Sequence, residues 1–244
     1  MTSEESLANA RNTIRRIIAG HDDGPSLVTQ IAVDVGGEII EDMIPPGHDL
    51  NSVELARRYN TSRTPIREAL MLLEKEGLVD IPPRRRPRSA LHDIQTINEI
   101  YRTRATLLGL ISADVATGAT EEEVAGLRDQ VGRMEEACRA GDIKAYVWAN
   151  IDFHDLNARA SNNQTAKRIV ESLLLRTISL RRWSLSQPGR MEQSLDDHRR
   201  LIKAYETHDD QLATALVRAN HLAALRQLER LLATPDTRFR RTDA

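Results

Sequence analysis

Along most of the chain, apolar residues recur every three or four positions, the spacing of helices that bury one face. Residues 1–24 are polar apart from Ile14, Ile17 and Ile18 at helical spacing, and GHDDGP then breaks the pattern. This stretch reads as an extra N-terminal helix or a mobile arm. Residues 26–43, SLVTQIAVDVGGEIIEDM, place Leu27, Ile31, Val35, Ile39 and Met43 four apart, as a buried helix stripe does. Gly36–Gly37 should weaken its middle. IPPGHDL stops that helix, and Asn51, with Glu54 three residues on as in a capping box, starts a short one. Tyr59-Asn60-Thr61 is a tight connector to SRTPIREALMLLEKEGLV, residues 62–79, the strongest amphipathic helix pattern of this part. After Gly77, LVDI and RSAL flank PPRRRP, two short apolar runs around a turn that predict a small β-hairpin. Helix, helix, helix, hairpin over residues 25–91 is the order of a winged helix-turn-helix.

From Asp93 onward the pattern is helical only. Six stretches follow, at roughly 94–117, 121–139, 142–160, 163–185, 189–207 and 209–233, broken at TGAT, AGD, SNN, QPG and THDD. Breaks this short make consecutive helices antiparallel neighbours. The expected fold is therefore mainly α: a winged helix-turn-helix, an antiparallel bundle of about six helices over 92–233, and a flexible tail over 234–244.

Composition narrows the function classes. Aromatic residues are only 3% of the chain, so the core must be Leu, Ile, Val and Ala, which favours helix. The single cysteine, Cys138, excludes an intrachain disulfide and fits a reducing cytoplasm. No 18-residue apolar run and no apolar N-terminal segment occur, so neither a membrane span nor a secretory signal is expected. The formal net charge of −2 excludes a surface that coats nucleic acid all round, yet permits a local basic patch.

Such a patch exists. Between positions 57 and 88 there are nine basic residues against four acidic ones, a local excess of +5. With Ser62 as N-cap and about 100° per residue, Ile66, Ala69, Leu70 and Leu73 share one side of the helix. Arg63, Thr64 and Arg67 share the other, with Met71. A helix N-terminus attracts anions through unpaired amides and the macrodipole, and arginines add bidentate donors for guanine edges or phosphates. Pro65 is tolerated because amides of the first turn lack helical partners. The candidate DNA-binding set is Arg58 on the partner helix, Ser62, Arg63, Thr64 and Arg67 on the reading helix, and Arg85, Arg86 and Arg88 in the wing.

The motif NSVELARRYNTSRTPIREALMLLEKEGLV and the preceding PPG resemble the GntR family of bacterial transcription regulators over roughly residues 25–91. The resemblance implies that Arg63, Thr64 and Arg67 contact DNA. Two positions depart from it: Val53 stands where many members carry an operator-contacting arginine, and Pro87 where the wing tip usually has glycine. Arg84, Arg85, Arg86 and Arg88 would compensate through phosphates. Residues 94–233 resemble the helical (FCD-type) effector domain of the FadR subgroup. By that resemblance NIDFH, DDHRRL and ANHLAAL supply metal ligands in order, namely Asn150, His154, His198 and His221, for Zn, Ni or Mn. From spacing alone the metal signal is weak, and these residues read more readily as ordinary core or surface histidines or a polar cluster shaping a pocket. Most such members have aspartate at the position of Asn150, so affinity for the ion should be lower here. Arg104 matches an arginine that pairs with an effector carboxylate, and Leu108 replaces a glutamate common nearby. Trp148 and Trp183 read as core or dimer-face residues.

These features together predict a metabolite-responsive, sequence-specific transcription regulator, not an enzyme. It should bind a near-palindromic double-stranded operator as a homodimer in a bacterial cytoplasm, in most cases as a repressor, associated with the nucleoid when bound. A small carboxylate metabolite would be its effector. Two alternatives remain at this level: a DNA-binding protein whose helical domain only dimerises, and a metalloenzyme carrying a DNA-binding module.

Overall fold

The computed structural model describes residues 1–19 and 26–233. Helices α1 (Ser3–Ala19), α2 (Leu27–Ile40), α3 (Ser52–Arg58) and α4 (Arg63–Lys75) come first, then strands β1 (Val79–Asp80) and β2 (Arg88–Ser89). There follow α5 (Ile94–Gly118), α6 (Glu121–Arg139), α7 (Ile143–Ala160), α8 (Gln164–Ser172), α9 (Ile178–Leu185), α10 (Arg190–Glu206) and α11 (Asp210–Ala233). The fold is mainly α, a winged helix-turn-helix followed by a helical domain. The tail expected over 234–244 lies outside the described residues, as does the GHDDGP break. No helix among the described residues is long and apolar enough to cross a membrane.

The chain forms two compact units. One holds the described residues of 2–92 together with Leu174–Ser179; the other holds Met1, Asp93–Leu173 and the described residues from Leu180 to Ala233.

In the first unit the N-terminal stretch is a helix, with Ala10 and Ile14 fully buried. The glycine pair of α2 does something other than weaken it. A Cβ on Gly36 would lie 2.9 Å from both Ile14 Cδ1 and Leu73 Cδ2, and one on Gly37 would lie 3.2 Å from Leu7 Cδ1. The missing side chains let α1 and α4 close on α2 at the level where a core helix needs dense packing. The expected stripe is shorter than its spacing suggested: α2 ends at Ile40, Met43 lies beyond it and is exposed, and Leu27 in the first turn is also exposed. Asn51 caps α3 by accepting from the Val53 amide, while its Nδ2 donates to Glu54 at 2.8 Å.

The hairpin is antiparallel with Val79 opposite Ser89 and Asp80 opposite Arg88. The 48–50 segment adds to its edge: the Leu50 amide donates to the Pro87 carbonyl at 2.7 Å and the Ser89 amide to the His48 carbonyl at 2.9 Å. Pro87 thus sits at the base of the wing, where only its carbonyl is needed. The reversal is made by Pro82–Arg85, closed by the Arg85 amide on the Pro82 carbonyl, with Arg84 at φ 62°.

In the second unit α5 packs along α11, α6 on α7 and α10, and α10 on α11. Trp148 is buried, and Trp183 packs against Ile97, Tyr101, Leu180, Leu225 and Leu228. The expected single helix over 163–185 is broken into α8, a 3-10 turn at Leu175–Thr177, and α9. Leu173, Leu174 and Leu175 are consecutive, so one helix would spread them over some 200° and could not bury all three on one face. The break lets Leu174, Leu175 and Ile178 bury within the unit that contains the winged helix. There Arg176 donates to the Lys75 and Glu76 carbonyls just past the last turn of α4, both at 3.4 Å.

Gly77 follows this terminus with φ 73°, and a Cβ on it would meet Arg176 Cδ at 2.9 Å. Gly77→Ala should therefore cost about 1–2 kcal/mol from the left-handed backbone alone. Thermal denaturation should show a melting temperature several degrees below wild type. An unchanged midpoint would mean that the turn relaxes at no cost.

Candidate functional site

On α4, Ile66, Ala69, Leu70 and Leu73 are buried, and Arg63, Thr64, Arg67 and Met71 are exposed. The apolar flank packs on α2 and holds the basic flank outward. Ser62 has the extended backbone of an N-cap but makes no capping bond with its side chain. The sequence explains why: Pro65 occupies the third helical position and has no amide to give the serine hydroxyl. The Arg63 and Thr64 amides and the Ser62 hydroxyl stay directed at whatever meets the helix end, beside two guanidiniums. That is an anion-binding arrangement built from one turn.

The flanking arginines divide. Arg84, Arg85 and Arg86 are exposed on the wing. Arg88 is drawn inward, with Nε 3.6 Å from Asp80 Oδ2. Arg58 donates to both oxygens of the buried Glu38, Nη1 at 2.9 Å to Oε2 and Nη2 to Oε1, and this hydrogen bonding to Glu38 raises its pKa further. Its guanidinium also lies 5.3 Å from the Tyr59 ring centroid. Arg58, a candidate DNA contact, uses Nη1 and Nη2 to join α3 to α2, and its side chain stays half exposed.

The second candidate site lies inside the helical unit. His154 on α7, His198 on α10 and His221 on α11 are buried together, with ring centroids 5.5 Å apart for His154–His198 and 5.1 Å for His154–His221. Asn150 Nδ2 is 3.1 Å from His198 Nε2. His198 Nδ1 lies 2.6 Å from the Ser194 carbonyl and His221 Nδ1 3.0 Å from that of Val217, so these nitrogens carry the protons and each Nε2 keeps its lone pair. Burial, before any neighbouring charge, drives all three imidazoles neutral: His198 falls to about 4, and His154 and His221 go well below the usual value. His154 Nδ1 is buried without a partner.

Three guanidiniums border these rings. Arg181 Nη1 donates to Asn150 Oδ1 at 3.0 Å, Arg104 Nη1 to the Val170 carbonyl at 3.0 Å, and Arg190 Nη2 to the carbonyl and Oδ1 of Asn220 at 2.9 Å. Burial, with Arg181 second, lowers Arg104 to about 9, so it remains charged at neutral pH.

The family model described as the FCD domain matches residues 99–238, and that of bacterial regulatory proteins of the gntR family matches residues 27–87. The chain belongs to the GntR family. It is a DNA-binding transcription regulator, and the relatives it matches are regulators and not enzymes. An uncharacterized HTH-type transcriptional regulator of Bacillus subtilis, YdhC, is 30% identical over 72% of this chain and 79% of its own. The gluconate operon transcriptional repressor of Bacillus licheniformis is 26% identical over 75% of this chain and 77% of its own. Among solved structures, E. coli McbR/YncC superposes with a TM-score of 0.68 at 21% identity, over 84% of this chain and 99% of that one, and so shares the fold.

For this GntR protein the structure brings Asn150, His154, His198 and His221 together, with Arg104 beside them. Sequence reading missed Arg181 and Arg190: each sits in a run of polar and basic residues that looks solvated, and only the tertiary fold turns it inward. As placed, no group of three or more His, Cys, Asp or Glu side chains among the described residues holds a metal position. The donor chemistry nevertheless fits an ion. All three imidazoles are neutral, two are pinned by backbone carbonyls as ligating histidines usually are, and the third has an orphaned nitrogen.

Two contrasting substitutions test the DNA face. Arg67→Ala should leave the melting temperature unchanged and cost operator binding about 1–3 kcal/mol, roughly five- to 150-fold in a gel shift. Arg58→Ala should instead lower the melting temperature, by about 1–2 kcal/mol of stability, because it strands Glu38; the loss is smaller than for a buried pair because Arg58 is half exposed.

A pH series tests the buried imidazoles. An unfolded chain protonates them near 6.5 and the folded one only at lower pH, so the unfolded state binds more protons as pH falls. Stability of metal-free protein should be full above about pH 6.5 and fall toward pH 4, by about 1.4 kcal/mol per pH unit for each histidine. A flat profile from pH 7.5 to 5 would show that the imidazoles accept protons in place.

Proposed function

We propose that the protein is a repressor that binds a near-palindromic operator as a homodimer in the bacterial cytoplasm, and releases it when a small organic acid enters the helical domain. The observation that carries the reading is the leading turn of α4: two exposed arginines, Thr64 and unpaired amides on an end that the apolar flank holds outward. One such end covers a half-site, and a two-fold pair covers a palindrome. Repression is supported by the relative named as a gluconate operon repressor. The effector must favour the DNA-free arrangement, and about 1–3 kcal/mol of coupling is enough for a switch. Its anionic group pairs with Arg104.

Asn150, His154, His198 and His221 would hold a divalent ion such as Zn, Ni or Mn, which supplies a further electrophilic anchor for the acid. The ion's ligands would all be neutral, so an anion from the effector completes its charge as well as its coordination.

Gel shift on the protein's own upstream DNA, repeated with carboxylic acids, tests the regulatory reading; retention of the shift with every acid would leave a domain that only dimerises. Metal analysis of purified protein tests the ion. Wild type reconstituted with Zn, Ni or Mn should carry about one ion per chain and His198→Ala far less. Wild type with no stoichiometric ion would remove the metal from the account.

A further inference from the structure

The helical unit buries three guanidiniums, and none of its described Asp or Glu residues is buried with them. Arg190 has partial compensation. Its partner Asn220 donates through Nδ2 to Asp197 at 3.1 Å, so one amide links a half-buried carboxylate to that cation. Arg104 and Arg181 have none: each is met only by a neutral oxygen, the Val170 carbonyl and Asn150 Oδ1. They are close enough for Arg181 to depress the pKa of Arg104, and the charges of both reach His154 and His221. A guanidinium taken out of water without a counter-ion costs several kcal/mol, and two of one sign in the same low-dielectric region cost more than twice one.

We propose that this cluster takes an organic dianion, one anionic group on Arg104 and the other on Arg181, and that Asn150 leaves both charges free for it. The inference rests on the effector reading above and narrows that effector to a charge class. A monoanion neutralises one guanidinium and leaves the other stranded, whereas a dianion neutralises both in one event. Residue 150 decides the count. A carboxylate there would form an ion pair with Arg181 and consume one charge; the amide offers a single dipole and takes none. A divalent ion on the neutral imidazoles would add two positive charges, which deepens the demand for a dianion and does not replace it.

The test uses full-length protein stripped of metal on a chelating resin, since a soluble polycarboxylate chelator would itself be a candidate ligand. Melting and calorimetric titrations compare malonate, succinate and glutarate with acetate, propionate and butyrate, with glycerol phosphate as the phosphate source of two charges. At least one dianion should bind tenfold or more tighter than every monocarboxylate. Arg104→Gln, Arg181→Gln and Asn150→Asp should each lower that affinity at least tenfold. Without ligand, the two Gln variants should melt at or above the wild-type temperature, because each removes a stranded charge; this separates loss of binding from loss of fold. Preference for glycerol phosphate over all three dicarboxylates would put both charges on one phosphate, overturning the two-group arrangement while the dianion charge class stands. Monocarboxylates binding as tightly as dianions, or Arg181→Gln binding like wild type, would overturn the dianion while the organic-acid reading stands. No carboxylate or phosphate moving either the melting temperature or the operator shift would overturn both.

Discussion

The contact that holds the basic flank of α4 outward is made on its opposite side, where Leu73 of α4 meets Gly36 of α2. A helix that must present its first turn to a duplex cannot support that turn from the front. It has to be held from behind, and the only handle is the apolar flank formed by Ile66, Ala69, Leu70 and Leu73. Gly36 sets how closely that flank can sit, because any side chain at that position would press on Leu73 and on Ile14 together. The same close approach brings α1 into the core, so the N-terminal helix becomes part of the platform that aims Arg63 and Arg67.

Arginine does opposite work in the two units. On α4 and at the wing tip, at Arg63, Arg67, Arg84, Arg85 and Arg86, it is exposed and inexpensive to carry. In the helical unit Arg104 and Arg181 are desolvated in advance, and the protein bears that cost before any ligand is present. A preorganised charge of this kind gains more from its ligand, since the solvent has already been removed from one side of the pair. Arg58 is a third case, an arginine whose charge is consumed internally by Glu38 and whose role is to join α3 to α2.

Much of this was legible in the sequence, and the limits are physical. The boundaries of α4 follow from SRTPIREALMLL because periodicity, cap position and the proline all act within one turn or two. The assembly of Asn150, His154, His198 and His221 was reached through family resemblance, since three helices separated by tens of residues leave no local signal of convergence. Arg181 and Arg190 escaped for the same reason: RRW and PGRM look like solvated surface until α9 and α10 are packed. The glycine pair misled in a different way. Helix propensity counts the entropy lost at Gly36 and Gly37 but not the packing of α1 and α4 that only a missing Cβ allows. The break at Leu173–Leu175 was written plainly, as three consecutive leucines that no single helix face can bury, yet a continuous 3.6-residue rhythm on both sides hides it.

Asn150 joins these strands of the structure because it touches both kinds of group in the buried cluster. Its Oδ1 accepts from Arg181 and its Nδ2 faces His198 Nε2, so one neutral side chain ties the guanidinium system to the imidazole system. A cation drawn to Oδ1 from the histidine side would compete with Arg181 for the orientation of that amide. Anything that pairs Arg181 with an anion frees Oδ1 to turn toward the imidazoles. A cation on the imidazoles and an anion on the guanidiniums, were both to bind, would favour each other through this one amide. A carboxylate at position 150 would hold both partners at once and break that reciprocity. A neutral residue at position 150 would thus couple the imidazole side to the guanidinium side.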